Sequence, residues 1–178
     1  MFFDTARLKV RPWTLEDTPA ALAMYGDPEV MRYLGRDGAG ATIESEEEMR
    51  LRLARAIERY GNSEKGYIYG AVESKIEGAV IGTALLKPLE LSDGSIAEDE
   101  IEIGWHLAKA YWRQGFGTEI GVGLIEYGLR KLGLSELHAI AYPANAASIR
   151  IMQKIGMEHL GSTNRYYGVI AEHYLVRA

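Results

Sequence analysis

Residues 102–118 read Glu102-Ile-Gly-Trp-His-Leu107, then Ala108-Lys-Ala-Tyr-Trp112, then Arg113-Gln-Gly-Phe-Gly-Thr118. A strand ends, a short polar and aromatic link follows, and a glycine-containing turn opens a long helix. The first N–H groups of a helix have no partner inside it. They point outward and, with the helix dipole behind them, form an anion site. Gly115 and Gly117 let a ligand come close to the backbone, Arg113 adds a fixed positive charge and Thr118 a hydroxyl donor. Together these groups suit a diphosphate. A Walker A loop is excluded because its Gly-Lys-Ser/Thr ending is missing. A dinucleotide fingerprint needs its third glycine at position 120, where Ile120 stands, and needs the turn directly after its strand, whereas residues 108–114 separate Leu107 from Gly115. The plain alternative is a pair of glycines that only tighten a turn.

Upstream, Tyr67 to Glu73 and Ala79 to Lys87 read as strands joined by a turn at Ser74 to Gly78; Ser92 to Ala97 reads as loop and Glu98 to Leu107 as a further strand. Before them, Arg7 to Trp13 alternates as a short strand, and Thr14 with Asp17 has the spacing of a capping box ahead of a helix to about Tyr25. Pro28 suits the first position of a short helix through Tyr33, 35–41 is loop by composition, and Ser45 to Tyr60 is a long helix with Met49, Leu53, Ile57 and Tyr60 on one face. Downstream, Gly115 to Leu132 is helical with apolar residues on two faces, so it is covered on more than one side. Leu137 to Tyr142 is a strand, Asn145 caps a helix to Ile155 with Gly156 just past its end, and Arg165 to Val176 reads as two closing strands around Gly168. This order predicts one mixed α/β (α+β) domain over residues 1–178, not a doubly wound sheet.

The chain has 178 residues, 47% apolar and 25% charged, which permits a sizeable core and excludes general disorder. Cysteine is absent, so disulfides, thiolate nucleophiles and cysteine-bound zinc are excluded; His106, His138, His159 and His173 lack metal-ligand spacing, and no metal is expected. The net charge of −5 gives no basic footprint for nucleic acid. The longest apolar stretch, Gly78 to Leu86, is too short to span a bilayer, and the first residues lack the pattern of a signal peptide. The expectation is a cytoplasmic domain, monomer or homodimer, without nucleic-acid or membrane partners.

Trp112-Arg-Gln-Gly-Phe-Gly117 resembles the pyrophosphate-binding turn of the GNAT N-acetyltransferase superfamily, Gln/Arg-x-x-Gly-x-Gly/Ala. The run Glu102 to Leu107, the run Asn145 to Met157, the opening Thr5 to Pro12 and the closing Arg165 to Tyr174 are similar to its ribosomal-protein alanine acetyltransferase (RimJ/RimL-like) branch. Trp112 departs from the Gln or Arg of the general motif. The resemblance implies a mixed, twisted sheet splayed between the strands ending at Leu107 and Tyr142, with acetyl-CoA in the split. The pyrophosphate would meet Arg113, Gln114, Gly115, Phe116, Gly117 and Thr118. The pantetheine arm would pair with the backbone near Trp105 and Leu107 and with Asn145.

The implied activity is transfer of an acetyl group from acetyl-CoA to a primary amine, either a protein N-terminus or a small molecule. Such transfer needs a neutral amine, a donor for the oxyanion and a proton for the departing thiolate. The backbone N–H of Leu107 is the expected oxyanion donor and Ser148 the expected acid, with Tyr142 and Tyr166 as other candidates; the plain readings are a first-turn residue of a capped helix for Ser148 and packing groups for the tyrosines. Glu102 is the expected base, its pKa raised by Glu100 on the same strand face; a solvated strand face is the other reading of these carboxylates. A non-catalytic acyl-CoA-binding module and a small nucleotide-binding domain are the rival functions.

Overall fold

The computed structural model describes the chain apart from residues 36–39 and 62, so the expected loop at 35–41 lies largely outside the described residues. Three long runs rich in apolar and β-branched residues form its centre: β3 (Ile68–Ser74), β4 (Val80–Glu90) and β5 (Ile96–Leu107), joined as an antiparallel meander. Side chains alternate across a strand, so the registers sort them onto two faces. Ile68, Val72, Leu86, Ile101 and Ile103 pack on one face against Phe116, Ile120 and Leu124 of α4 (Phe116–Ile125). On the other face, Tyr69 and Ala71 lie under Trp13, Met24, Tyr25, Met49 and Leu53, which belong to the segment around α1 (Thr18–Tyr25), α2 (Pro28–Met31) and α3 (Glu46–Tyr60).

Five further strands complete one eight-stranded sheet: β1 (Phe3–Asp4), β2 (Leu8–Pro12), β6 (Glu136–Ala141), β7 (Glu158–Thr163) and β8 (Ala171–Arg177), in the order β1-β2-β3-β4-β5-β6-β8-β7. Among the described residues only β5 and β6 run parallel, with α4 supplying the crossover that a parallel pair needs. α5 (Ala146–Lys154) joins β6 to β7. No helix among the described residues is long and apolar enough to cross a membrane.

Two expectations shift. The strand expected from Glu98 already starts at Ile96, and the closing strands are β7 and β8, with Arg165 to Gly168 a turn between them. Tyr167 and Gly168 have φ of 55° and 68°, which an extended strand does not accommodate. β7 is an edge strand of mostly exposed residues, so it carries no apolar alternation to read. The glycines inside α4 are explained by close packing: a Cβ at Gly123 would lie 2.4 Å from the Phe3 ring. The helix then continues as a π-helical turn over Glu126–Lys131, where a Cβ at Gly128 would meet Leu137 at 2.8 Å.

Two arginines fasten the N-terminal strands through ion pairs. Arg11 donates to both Asp17 oxygens at 2.8 and 2.9 Å and to Glu73 at 2.9 Å, and Asp17 also accepts from the Thr14 N–H, closing the expected capping box. Glu119, in the first turn of α4, accepts from the Thr5 hydroxyl, the Arg7 N–H and the Arg7 guanidinium.

Candidate active site

The sheet forks. β5 and β6 are in register only at Glu102 and His138. Beyond that rung β5 is held by β4 alone as far as Leu107, and β6 by β8 alone as far as Ala141. The Ala108 N–H donates to the Ile81 carbonyl at 2.9 Å, toward β4. Backbone groups alternate sides along a strand, so those of Trp105 and Leu107 face the gap. A cavity of about 540 Å³ fills it. Trp105, His106 and Leu107 line it from β5, Arg113 and Gly115 to Thr118 from the turn and α4, and Asn145 and Ser148 from the start of α5. Glu29, Val30, Arg32 and Tyr33 close it from the α2 side.

The turn presents its amides to this cavity. Gly115 precedes α4 with φ of 81°, and Arg113 also has positive φ, 61°. The first i→i−4 bond runs from the Glu119 N–H to the Gly115 carbonyl, so the N–H groups of Phe116, Gly117 and Thr118 precede the helical ladder. Free N–H groups at a helix start suit an anion such as a diphosphate. The side chains divide the work differently from the sequence expectation. Gln114 does not line the cavity: its Nε2 donates to the Ala110 carbonyl at 2.8 Å, and its own carbonyl accepts from Arg7. Phe116 contributes an amide, while its ring is buried with the Arg7 guanidinium 4.2 Å above it.

Trp112, the departure from the general motif, has a visible task. Its Nε1 donates to the Leu107 carbonyl at 2.8 Å, which ties the turn to the strand end. One of the two Leu107 groups expected to be open is thus used within the chain, and its N–H is left facing the gap. Asn145 likewise spends its Oδ1 on the Ser148 N–H at 3.2 Å as the α5 cap. Tyr33, which lines the cavity, donates to the Ala144 carbonyl at 3.0 Å, and Tyr142, a candidate acid from the sequence, lies outside the lining and donates to the Gly35 carbonyl at 2.7 Å; Tyr166, the other candidate, donates to Glu100. No sequence signal marks the two carbonyl contacts, because each partner is distant in the chain.

Glu102 is placed differently from the expectation. It lies outside the cavity lining, on the α1–α3 face, where it accepts from Lys87 at 3.1 Å and Tyr167 at 2.6 Å. Glu100 accepts from Arg165 at 2.6 Å and Tyr166 at 2.7 Å. The two carboxylates do not form a pair. The Arg165 hydrogen bond lowers the Glu100 pKa instead of repulsion raising it. Burial disfavours the Lys87 ammonium, but Glu102 and Tyr167 outweigh it and hold the lysine charged. His106 shares this face and also reaches the cavity; burial, then the Lys87 charge, lower its pKa to about 4.

The family model described as an acetyltransferase (GNAT) domain matches residues 7–158. The chain belongs to the GNAT acetyltransferase family. It is an acyltransferase, and its open eight-stranded mixed sheet is the GNAT fold. It is 29% identical over 163 residues to YoaA of Bacillus subtilis, an uncharacterized N-acetyltransferase, covering 92% of this chain and 86% of that one. A GNAT-family acetyltransferase from Bacillus anthracis superposes with a TM-score of 0.80 at 22% identity, covering 99% of this chain and 98% of the other. RimL, a ribosomal alpha-N-protein acetyltransferase solved with coenzyme A, superposes with a TM-score of 0.72 at 16% identity, covering 97% and 95%.

In a GNAT acetyltransferase the diphosphate is that of coenzyme A, and the amides that open α4 suit it. Trp112 holds the turn to the end of β5. Trp112→Phe removes one hydrogen bond, about 1 kcal/mol, and is expected to weaken coenzyme A binding about fivefold in calorimetry with the fold unchanged.

Proposed function

We propose that residues 1–178 act as one N-acetyltransferase domain that moves an acetyl group from acetyl-CoA to a primary amine by direct attack on the thioester. One observation carries this reading: the fork is a slot through the sheet. The α4 amides approach it from one face, and His106 with residues of the α2 side line it from the other. A donor and an acceptor can thus meet in the gap without displacing each other.

Acetyl-CoA supplies the activated acyl group. Phe116, Gly117 and Thr118 would hold its phosphates with backbone N–H groups, and Arg113 would add charge. The Leu107 N–H is held by its strand in the gap, so it stabilises a developing oxyanion without reorganising. Ser148 lies on the cavity wall in the first turn of α5, placed to donate a proton to the departing sulfur. Glu102 keeps Lys87 and Tyr167 in position on the acceptor side. The acceptor is a protein N-terminus or a small amine, as the likeness to the RimJ/RimL branch supports, and the site of action is the cytoplasm.

The test is incubation of the purified chain with acetyl-CoA and a panel of amines: alanine- and serine-initiated peptides, spermidine and tryptamine. Release of free thiol that depends on the amine is expected. Tight coenzyme A binding with no amine-dependent release would turn the reading into that of a non-catalytic acyl-CoA-binding module.

A further inference from the structure

His106 is the one imidazole on the cavity wall among the described residues. It precedes Leu107, so it stands beside the expected oxyanion donor, and its side chain lies on the face from which an acceptor would come. The ring is oriented. Its Nδ1 lies 3.0 Å from the Tyr25 hydroxyl, which in turn lies 2.6 Å from Thr83 Oγ1. The Tyr25 and His106 rings meet edge to face at 5.9 Å. When Tyr25 donates to Thr83, its oxygen accepts from Nδ1–H, and the His106 lone pair is then on Nε2. Nε2 has no protein partner among the described residues, yet it is not among the buried, unpartnered polar atoms, which are Trp13 Nε1 and His138 Nε2. His106 itself is among the residues that line the cavity. Glu102 lies outside the cavity lining, with its Oε2 accepting from both Lys87 and Tyr167.

We infer that His106 Nε2 accepts the proton that the attacking amine loses as the new amide bond forms. The nitrogen lone pair makes the N–C bond, and the C–S pair leaves on sulfur. The proton passes to Nε2 while the Ser148 hydroxyl gives its proton to the thiolate, and Nε2 then returns the proton to Ser148 through water, so that amide and thiol leave neutral. Protonation leaves the Nδ1–H bond to Tyr25 in place, so the ring need not move. The groups packed about it favour a neutral resting imidazole: Tyr25 from α1 and Tyr69 from β3 are phenols that burial keeps protonated, and Lys87 on β4 is a cation. This inference rests on the N-acetyltransferase reading above.

The test uses the full chain, acetyl-CoA and the same four amines. His106→Gln is expected to lower kcat/KM about 100-fold with coenzyme A affinity changed less than twofold. Added imidazole should restore part of the activity of His106→Ala, a rescue that a merely structural role would not give. Independently of turnover, nitrogen-15 spectra of the free protein should show His106 as the Nδ1–H tautomer. Full activity of His106→Gln, or an Nε2–H tautomer, would overturn the inference and leave the acetyltransferase reading intact. A wild-type chain that binds coenzyme A but releases no thiol with any amine would remove both.

Discussion

Replacing Gly117 with valine is expected to weaken coenzyme A binding at least about 100-fold, or about 2.8 kcal/mol, with the circular dichroism spectrum and melting temperature nearly unchanged. Gly117 is the second residue of α4 and lines the cavity, and its N–H precedes the first intrahelical bond. A Cβ there would lie 2.7 Å from Ile151 Cδ1 and 3.7 Å from the Trp105 ring. The first neighbour is the tip of a flexible side chain on α5, which can turn aside, so the fold tolerates the change. The cavity does not, because Ile151 also lines it and both branches of valine enter the space between α4 and α5. Gly117→Ala separates the effects: it adds only the Cβ and should cost less than tenfold in affinity. Binding by the valine variant within threefold of wild type would show that the phosphates are held elsewhere, and the proposed function would fall with it.

Asp17→Ala is expected to destabilise the chain by about 3 kcal/mol, lowering the melting temperature by roughly 6–12 °C. The Asp17 side chain is 9% exposed and the Arg11 side chain 26%. Removing the carboxylate leaves a largely buried guanidinium with Glu73 as its remaining carboxylate and opens the capping box before α1. Because part of Arg11 still reaches water, the cost falls at the low end for a broken buried pair. The effect is pH-dependent. Burial pushes the Asp17 pKa up, but Arg11 and the Thr14 N–H outweigh it and hold the group below the ordinary aspartate value of 3.8. A carboxyl with a depressed folded pKa contributes stability that is complete above the unfolded value and is lost as the pH falls through the folded one. The gap between wild type and variant, read by denaturant unfolding, should therefore be constant near neutrality and narrow below pH 3.8. A gap under 1 kcal/mol at neutral pH would show that Arg11 finds water instead.

How far the sequence reached can be judged from particular residues. Strand β5, the turn at Gly115, α4 and the Asn145 cap were readable because their signals are local: alternation, glycine before a helix, a capping side chain three residues from its amide. β1 and β7 were not readable. The first is two residues long, and the second is an edge with few buried side chains, so neither carries a period. Within the site, backbone roles were easier to foresee than side-chain roles. Gln114, Phe116 and Asn145 all stand near the cavity, yet each uses its side chain chiefly to build the wall.

The chain's own order of residues determined that a strand would end at Leu107, that free amides would open α4, and that a mixed sheet would follow, since these depend on neighbours within a few positions. Only the tertiary structure decided that Glu100 and Glu102 take separate partners, that Trp112 folds back on Leu107, and that Tyr25 orients His106 beside the gap. Those choices join residues brought together by the fork and the helices over it, and no period or spacing in one strand encodes what another segment will place against it.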